Sequence, residues 1–349
     1  MIYYILFFLV EFSLLFLANF IHSRSLSVFA AILAIAFCGL RYETGYDYNA
    51  YRSFFEDLWY YEGLVEPGFY YFVHAANFVG VTTIALFFLF SLVTHGLAFH
   101  TLTKASPSPN LAFLIYLLIP GLYLNSFSIL RSAFAVSVFA YAAYGLTSGR
   151  SKLEYLALGI LAASFHFTAV LPFLIAFFLF LGPKRLPSRP ICVLLFLGSL
   201  IASQLPIAQT ILNAFGGTKF DSYAELNEHQ GALKILASSL LTLFIIYHAK
   251  HFERSQTSTY FFKIWLIGVV LFNVFIEFAP VTRISYYFSF FSIPLLIHAT
   301  FIYRRFARAL SGAALIMFFS MSFAVALYND SLAADTLNMS NYKTIFDAP

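Results

Sequence analysis

The stretch Arg41–Glu66, RYETGYDYNAYRSFFEDLWYYEGLVE, decides how this chain is read. It sets Arg41, Glu43, Asp47, Arg52, Glu56, Asp57, Glu62 and Glu66 directly after two long apolar runs. Only 10% of the 349 residues are charged, so such a concentration needs a reason. An inter-helix loop has to be wet, and that alone is one reason. The other is a polar site at one face of a membrane, completed by Arg131, His166 and Arg283 from the ends of later apolar runs. Inside the stretch, Tyr48, Tyr51, Phe54, Phe55, Leu58 and Trp59 recur at helical spacing, with Arg52, Glu56 and Asp57 opposite them. That pattern predicts an amphipathic helix lying along the interface, where Tyr and Trp rings are at home.

Outward from this loop the chain is 61% hydrophobic and 20% aromatic, with a mean hydropathy of +0.81. A soluble domain has too little interior to hide so much apolar surface. Runs of roughly 17–25 apolar residues are long enough to cross the ~30 Å hydrocarbon core as helices, and here they follow one another with little between them. The expected fold is therefore all-α: a polytopic membrane protein of about 12 transmembrane helices, with residues 1–327 as one helical domain. The spans fall at 2–21, 26–40, 84–102, 109–125, 127–147, 153–166, 168–182, 190–206, 235–249, 259–278, 285–303 and 309–327. Residues 67–80 make a fourteen-residue run read as re-entrant rather than crossing.

Charge tests this layout. With both termini and the 41–66 loop outside, thirteen of the twenty basic residues lie on the inner side, from Arg24 and Lys104 to Arg304, Arg305 and Arg308. Thirteen of the sixteen acidic residues lie outside, the asymmetry expected of an inner face rich in Lys and Arg. The net charge of +4 comes from short clusters between spans, not from a basic stripe, so nucleic acid is no expected partner. Ile2–Ile21 lacks a basic leader and carries Glu11, which does not suit a signal peptide. Cys38 and Cys192 lie near opposite faces and read as small apolar packers. Residues 206–234 form a second outer loop with the composition of a lid, and the polar tail 328–349 is expected to be partly disordered.

Arg131 opens a span in NSFSILRSAFAV, one turn below the outer surface, where a charge either snorkels or serves a site. Arg283 follows Pro280 at an outer helix start, as a loop cation or an anion ligand. Arg41 stands outside, against the positive-inside trend. Three arginines brought together would bind a pyrophosphate through forked, charge-assisted hydrogen bonds. His166, at the outer apex between two short spans, is either a satisfied structural histidine or a phosphate ligand or base. Asp47, after Gly45 and before Tyr48, either caps the Asn49–Trp59 helix or orients and deprotonates a hydroxyl. Glu11 and Glu277 are either proton-relay groups or paired within the bundle. The chain has no GxxxxGK[ST], HExxH, CxxC or Asp-x-Asp motif, so no cofactor and no metal are expected.

The ordered set Arg41, Gly45-Tyr46-Asp47-Tyr48 and Tyr51; Glu66-Pro67-Gly68-Phe69; Leu130-Arg131; Phe165-His166; and Arg283 with Tyr286 resembles the EpsG-type branch of Wzy-like polysaccharide polymerases. This chain departs from that pattern at Tyr46, Ser132 and Phe167. The resemblance implies a GT-C-like glycosyltransferase on the outer face of a bacterial cytoplasmic membrane. It would transfer a glycan from an undecaprenyl-pyrophosphate donor to the terminal sugar of an undecaprenyl-pyrophosphate-linked acceptor. Such a protein works with lipid-linked oligosaccharides in the bilayer, a flippase and a chain-length regulator. On this reading Arg131 and Arg283 hold pyrophosphate, Arg41 holds the loop or a second phosphate, and Asp47 is the base with His166 in reserve. Glu43, Tyr48, Tyr51, Glu66 and Tyr286 are secondary candidates. A lipid-linked oligosaccharide transporter or flippase, a membrane O-acyltransferase and a structural scaffold remain the alternatives.

Overall fold

The computed structural model of the chain describes residues 1–57, 60, 62–205, 232–276, 279–332 and 338–347. They form a helical bundle whose elements fall on most of the apolar runs; the run 109–125 is α-helical only to Leu118, and the run 285–303 is split between two helices. The first half contains α1 (Ile2–Phe20), α2 (Arg24–Gly39), α3 (Tyr48–Glu56), α4 (Pro67–Phe78), α5 (Thr83–Ala105), α6 (Pro109–Leu118), α7 (Leu130–Thr147) and α8 (Lys152–Phe165). The second contains α9 (Val170–Leu181), α10 (Arg189–Ala202), α11 (Ala232–Tyr247), α12 (Ala249–Phe252), α13 (Gln256–Val274), α14 (Ala279–Ser289), α15 (Ser292–Phe301) and α16 (Arg305–Ser331). Local chemistry sets several starts. The Ser23, Thr82, Ser151 and Ser255 hydroxyls each accept a first-turn N–H, while α4, α6 and α10 carry a proline, with no N–H to strand, in their first two residues.

Helix α7 is the axis of the bundle. Fourteen of its residues are buried, on all sides, and it packs between α5 and α8. Peripheral helices do the reverse: α1 exposes Leu9 and Phe16, and α16 exposes Phe306 and Met317. Apolar surface turned outward on such helices is what a lipid solvent requires. Among the described residues, five helical stretches are long and apolar enough to cross a membrane, α14 and α15 counting as one. With the shorter apolar helices between them, they make this a multi-pass membrane protein.

Helix α4 has twelve residues, a length of about 18 Å. Its first residues lie beside α8, so close that a Cβ on Gly68 would meet Ser164 Oγ at 2.2 Å. At its far end, Asn77 Nδ2 donates to the Phe55 carbonyl of α3 at 2.6 Å. The chain thus enters and leaves α4 at the end of the bundle that carries the loop.

Of the tail, expected to be partly disordered, residues 338–347 are among those described. Residues 338–347 pack onto the loop end. Lys343–Thr344 (β2) pairs antiparallel with Arg41–Tyr42 (β1), and Tyr342 stacks on Phe37 at 4.1 Å. The Tyr342 hydroxyl donates to the Phe37 carbonyl at 2.6 Å, and the Met1 ammonium donates to the Ser340 carbonyl at 2.9 Å. One aromatic ring and a two-residue ladder are enough to hold a short polar segment once a concave partner exists. The lid expected at 206–234 and the role of Glu277 fall almost wholly outside the described residues. Cys38 and Cys192 are buried and free.

Candidate functional site

Asp47 is carried on a turn that few sequences could make. Gly45 has φ +105°, and a Cβ there would lie 2.3 Å from the Phe127 carbonyl oxygen. Only glycine allows both that dihedral and that approach. The Tyr46 N–H then donates to Ser128 Oγ at 3.0 Å, fixing the turn against the 3₁₀ segment Leu124–Phe127 that leads into α7. Asp47 occupies the position before α3, yet its side chain makes no capping hydrogen bond. Burial pushes its carboxyl above the usual aspartate range, and the positive charges of Arg283 and Arg131 oppose that shift. Two arginines far apart in sequence therefore oppose the burial of one carboxylate.

Arg131, in the first turn of α7, forms an ion pair with Glu66, the residue before α4. The Glu66 carboxylate also lies 3.3 Å from His166 Nδ1 and accepts the Phe167 N–H at 3.3 Å. Burial raises the Glu66 pKa, but His166, Arg131 and the backbone donors outweigh it and hold the group at about 2. It is an anion throughout the physiological range. Phe69 and Phe54 flank the Arg131 guanidinium, 5.3 and 5.8 Å from it. Its Nε is buried with no hydrogen-bond partner among the described residues. A buried donor without an acceptor costs about 1–3 kcal/mol, so this edge of the guanidinium favours an incoming oxygen. Tyr51, buried in α3, accepts the Arg131 backbone N–H at 3.4 Å. Arg283, near the start of α14, is exposed.

Arg41 is placed differently from its two companions. It is 1% exposed, and its fork donates to the carbonyls of Cys38 (2.7 Å), Thr44 (3.2 Å) and Phe127 (3.0 Å). The Phe87 ring lies 4.6 Å from the guanidinium. This arginine holds the loop together, and its donors are spent on backbone. Tyr48 stacks on Phe87 at 4.9 Å beneath the same turn. Glu43 pairs with Lys343 of the tail at 3.0 Å, and the Tyr286 hydroxyl accepts from Asn125 Nδ2 at 2.9 Å. Arg131, Glu66, His166 and Tyr51 thus meet in one polar cluster; Asp47 and Arg283 are candidates related to it by charge, and Arg41, Tyr48, Glu43 and Tyr286 lie in contacts of their own.

Glu66 is only a secondary candidate on sequence grounds, though it joins Arg131 to His166. Its signal is its position: a carboxylate directly before Pro67 at a helix start, where the helix dipole favours an anion. His95 is fully buried midway along α5. Its Nδ1 lies 2.8 Å from the Tyr116 hydroxyl and its Nε2 3.4 Å from Ser126 Oγ. Beside α14, a groove of about 230 Å³ is lined by Leu241, Trp265, Val269, Ser285, Ser289 and Leu296. Among the described residues, no three His, Cys, Asp or Glu side chains gather as a metal site.

A many-helix membrane domain with a cation-rich polar cluster at one end of the bundle defines the class. The model of the EpsG family matches residues 24–344, nearly the whole chain, and the protein belongs to that family, of polysaccharide-polymerase-type membrane proteins. No curated protein and no solved structure matches it.

Proposed function

We propose that the protein is a polysaccharide repeat-unit polymerase of a bacterial cytoplasmic membrane, with a GT-C-like arrangement of twelve spans and its site on the extracytoplasmic face. The donor is a glycan on undecaprenyl pyrophosphate, and the acceptor is the terminal sugar of a second lipid-linked glycan. One observation carries this reading: Arg131 is paired with Glu66, which also lies 3.3 Å from His166, at the end of the bundle that carries the Asp47 turn. A guanidinium for the diphosphate and a candidate base at the same end of the bundle are what glycosyl transfer from a diphosphate needs.

The acceptor hydroxyl attacks the anomeric carbon of the donor as its proton passes to Asp47. The bond from that carbon to the pyrophosphate oxygen breaks, and the lipid diphosphate leaves with the electron pair. Arg131 and Arg283 stabilise the charge that develops on the leaving group, as positioned cationic donors do for a departing phosphate. Glu66 holds Arg131 and His166 in register, and His166 is the second candidate for the base. The groove beside α14, which shares its helix with Arg283, offers apolar surface suited to an isoprenoid chain.

Purified protein in liposomes with lipid-linked repeat units is the direct test. Longer glycans are expected from the wild type, and none from Arg131→Ala or Arg283→Ala proteins that insert normally. Full-length polymer from both variants, or glycans that cross the bilayer without lengthening, would overturn the reading.

A further inference from the structure

Asp330, in the last turn of α16, is 7% exposed and accepts two hydrogen bonds. The Tyr46 hydroxyl donates to its Oδ1 at 2.7 Å, and the Ser340 N–H donates to its Oδ2 at 2.6 Å. One carboxylate therefore joins three separate parts of the chain: the turn that carries Asp47, the end of α16, and the docked tail. We propose that Tyr46 and Asp330 form a positioning latch for Asp47, with the tail segment 338–347 as its strap. The latch rests on the polymerase reading in one respect, that Asp47 is the base.

Four observations support a latch over a simple packing contact. The Tyr46 ring is 38% exposed, so its contribution to the core is small and its hydroxyl is what the position uses. A carboxylate in the last turn of a helix is disfavoured by the dipole by about 0.3–1 kcal/mol, so Asp330 stands against local preference. The residue just before Asp47 is gripped at both ends, its N–H by Ser128 and its hydroxyl by Asp330. The strap itself is tied down again beside the turn, by the Lys343–Glu43 ion pair and the β1–β2 ladder. Ser128 lies three residues before Arg131, so the latch fixes Asp47 relative to the arginine with which it must cooperate. Small misplacements of a catalytic group cost orders of magnitude in rate.

The test uses Tyr46→Phe, which removes one oxygen atom, Asp330→Asn, and the double variant, all in the liposome assay. Each single variant is expected to lower kcat about tenfold while KM for the lipid-linked donor stays unchanged. The double variant is expected to fall no further, because both changes break one interaction. Backbone amide exchange at residues 45–48 and 339–344 is expected to speed up in every variant. Wild-type kcat in Tyr46→Phe, a multiplied loss in the double variant, or unchanged exchange would each overturn the latch. If the wild-type protein makes no polymer, the polymerase reading falls, and the exchange measurement still decides whether Tyr46 and Asp330 hold the turn.

Discussion

Arg131 and Glu66 form an ion pair in which each side chain is 21% exposed, wet enough to admit a ligand and dry enough to matter. A pair this enclosed gains more than a surface bridge and leaves an uncompensated charge if one partner is removed. Glu66→Gln keeps the shape and removes the charge. It is expected to lower polymerisation by about tenfold to a hundredfold and stability by roughly 2 kcal/mol. The Glu66 pKa is depressed on folding, so its stabilisation is full above the ordinary glutamate value and fades as pH falls toward 2. The gap in stability between variant and wild type should narrow in that acid range and nowhere above it, as a denaturation series across pH would register.

Asp47 behaves in the opposite sense. Its folded pKa is raised, by burial first, so the protein favours the protonated form and loses stability as pH rises through that value. Asp47→Asn is therefore expected to abolish polymerisation while leaving thermal stability equal to the wild type or higher at neutral pH. In the wild type the rate should fall on the acid side with a midpoint above the usual aspartate range. A rate profile flat down to about pH 4, the ordinary aspartate value, would remove Asp47 as the base.

Arg41 is predicted to be a stability residue. Arg41→Ala strands three carbonyls and opens a space under the loop, at a cost of about 3–5 kcal/mol. Arg41→Lys restores one point charge where the site uses a planar fork, so it should recover only part of the loss. Reduced amounts of folded protein, with near-normal turnover per surviving molecule, is the expected pattern in a quantified membrane preparation.

Gly45→Ala places a methyl group against the Phe127 carbonyl at a backbone dihedral that alanine avoids. A destabilisation of roughly 1–3 kcal/mol or more is expected, together with loss of polymer, because the Asp47 turn must shift to relieve the clash. Wild-type activity in this variant would show that the turn is not needed in the geometry described.

The helices were legible because apolar length is a one-dimensional property. Most predicted spans fall on helices, though 109–125 is α-helical only to Leu118 and 285–303 is split between α14 and α15, and α3 buries Tyr48, Tyr51 and Phe55 as their spacing requires. Leu58 and Trp59 lie outside the described residues. The site was half legible. Arg41 and Arg131 look alike in sequence, each a cation at the edge of an apolar run. Only the fold reveals that one faces backbone carbonyls and the other a carboxylate. Glu66 and His166 are 100 positions apart, and nothing in the local pattern of either predicts their meeting. The place of residues 338–347 was not legible either, because it depends on Tyr342 meeting Phe37.

The pairing of Glu66 with Arg131 also bears on the release of product. A pocket with every positive charge uncompensated would grip the spent carrier as firmly as the incoming one, and turnover would stall on departure. A resident anion beside Arg131 softens that grip, offering the guanidinium a partner to return to as the carrier leaves. On the polymerase reading, the same carboxylate that steadies the arginine also sets how soon the next cycle can begin.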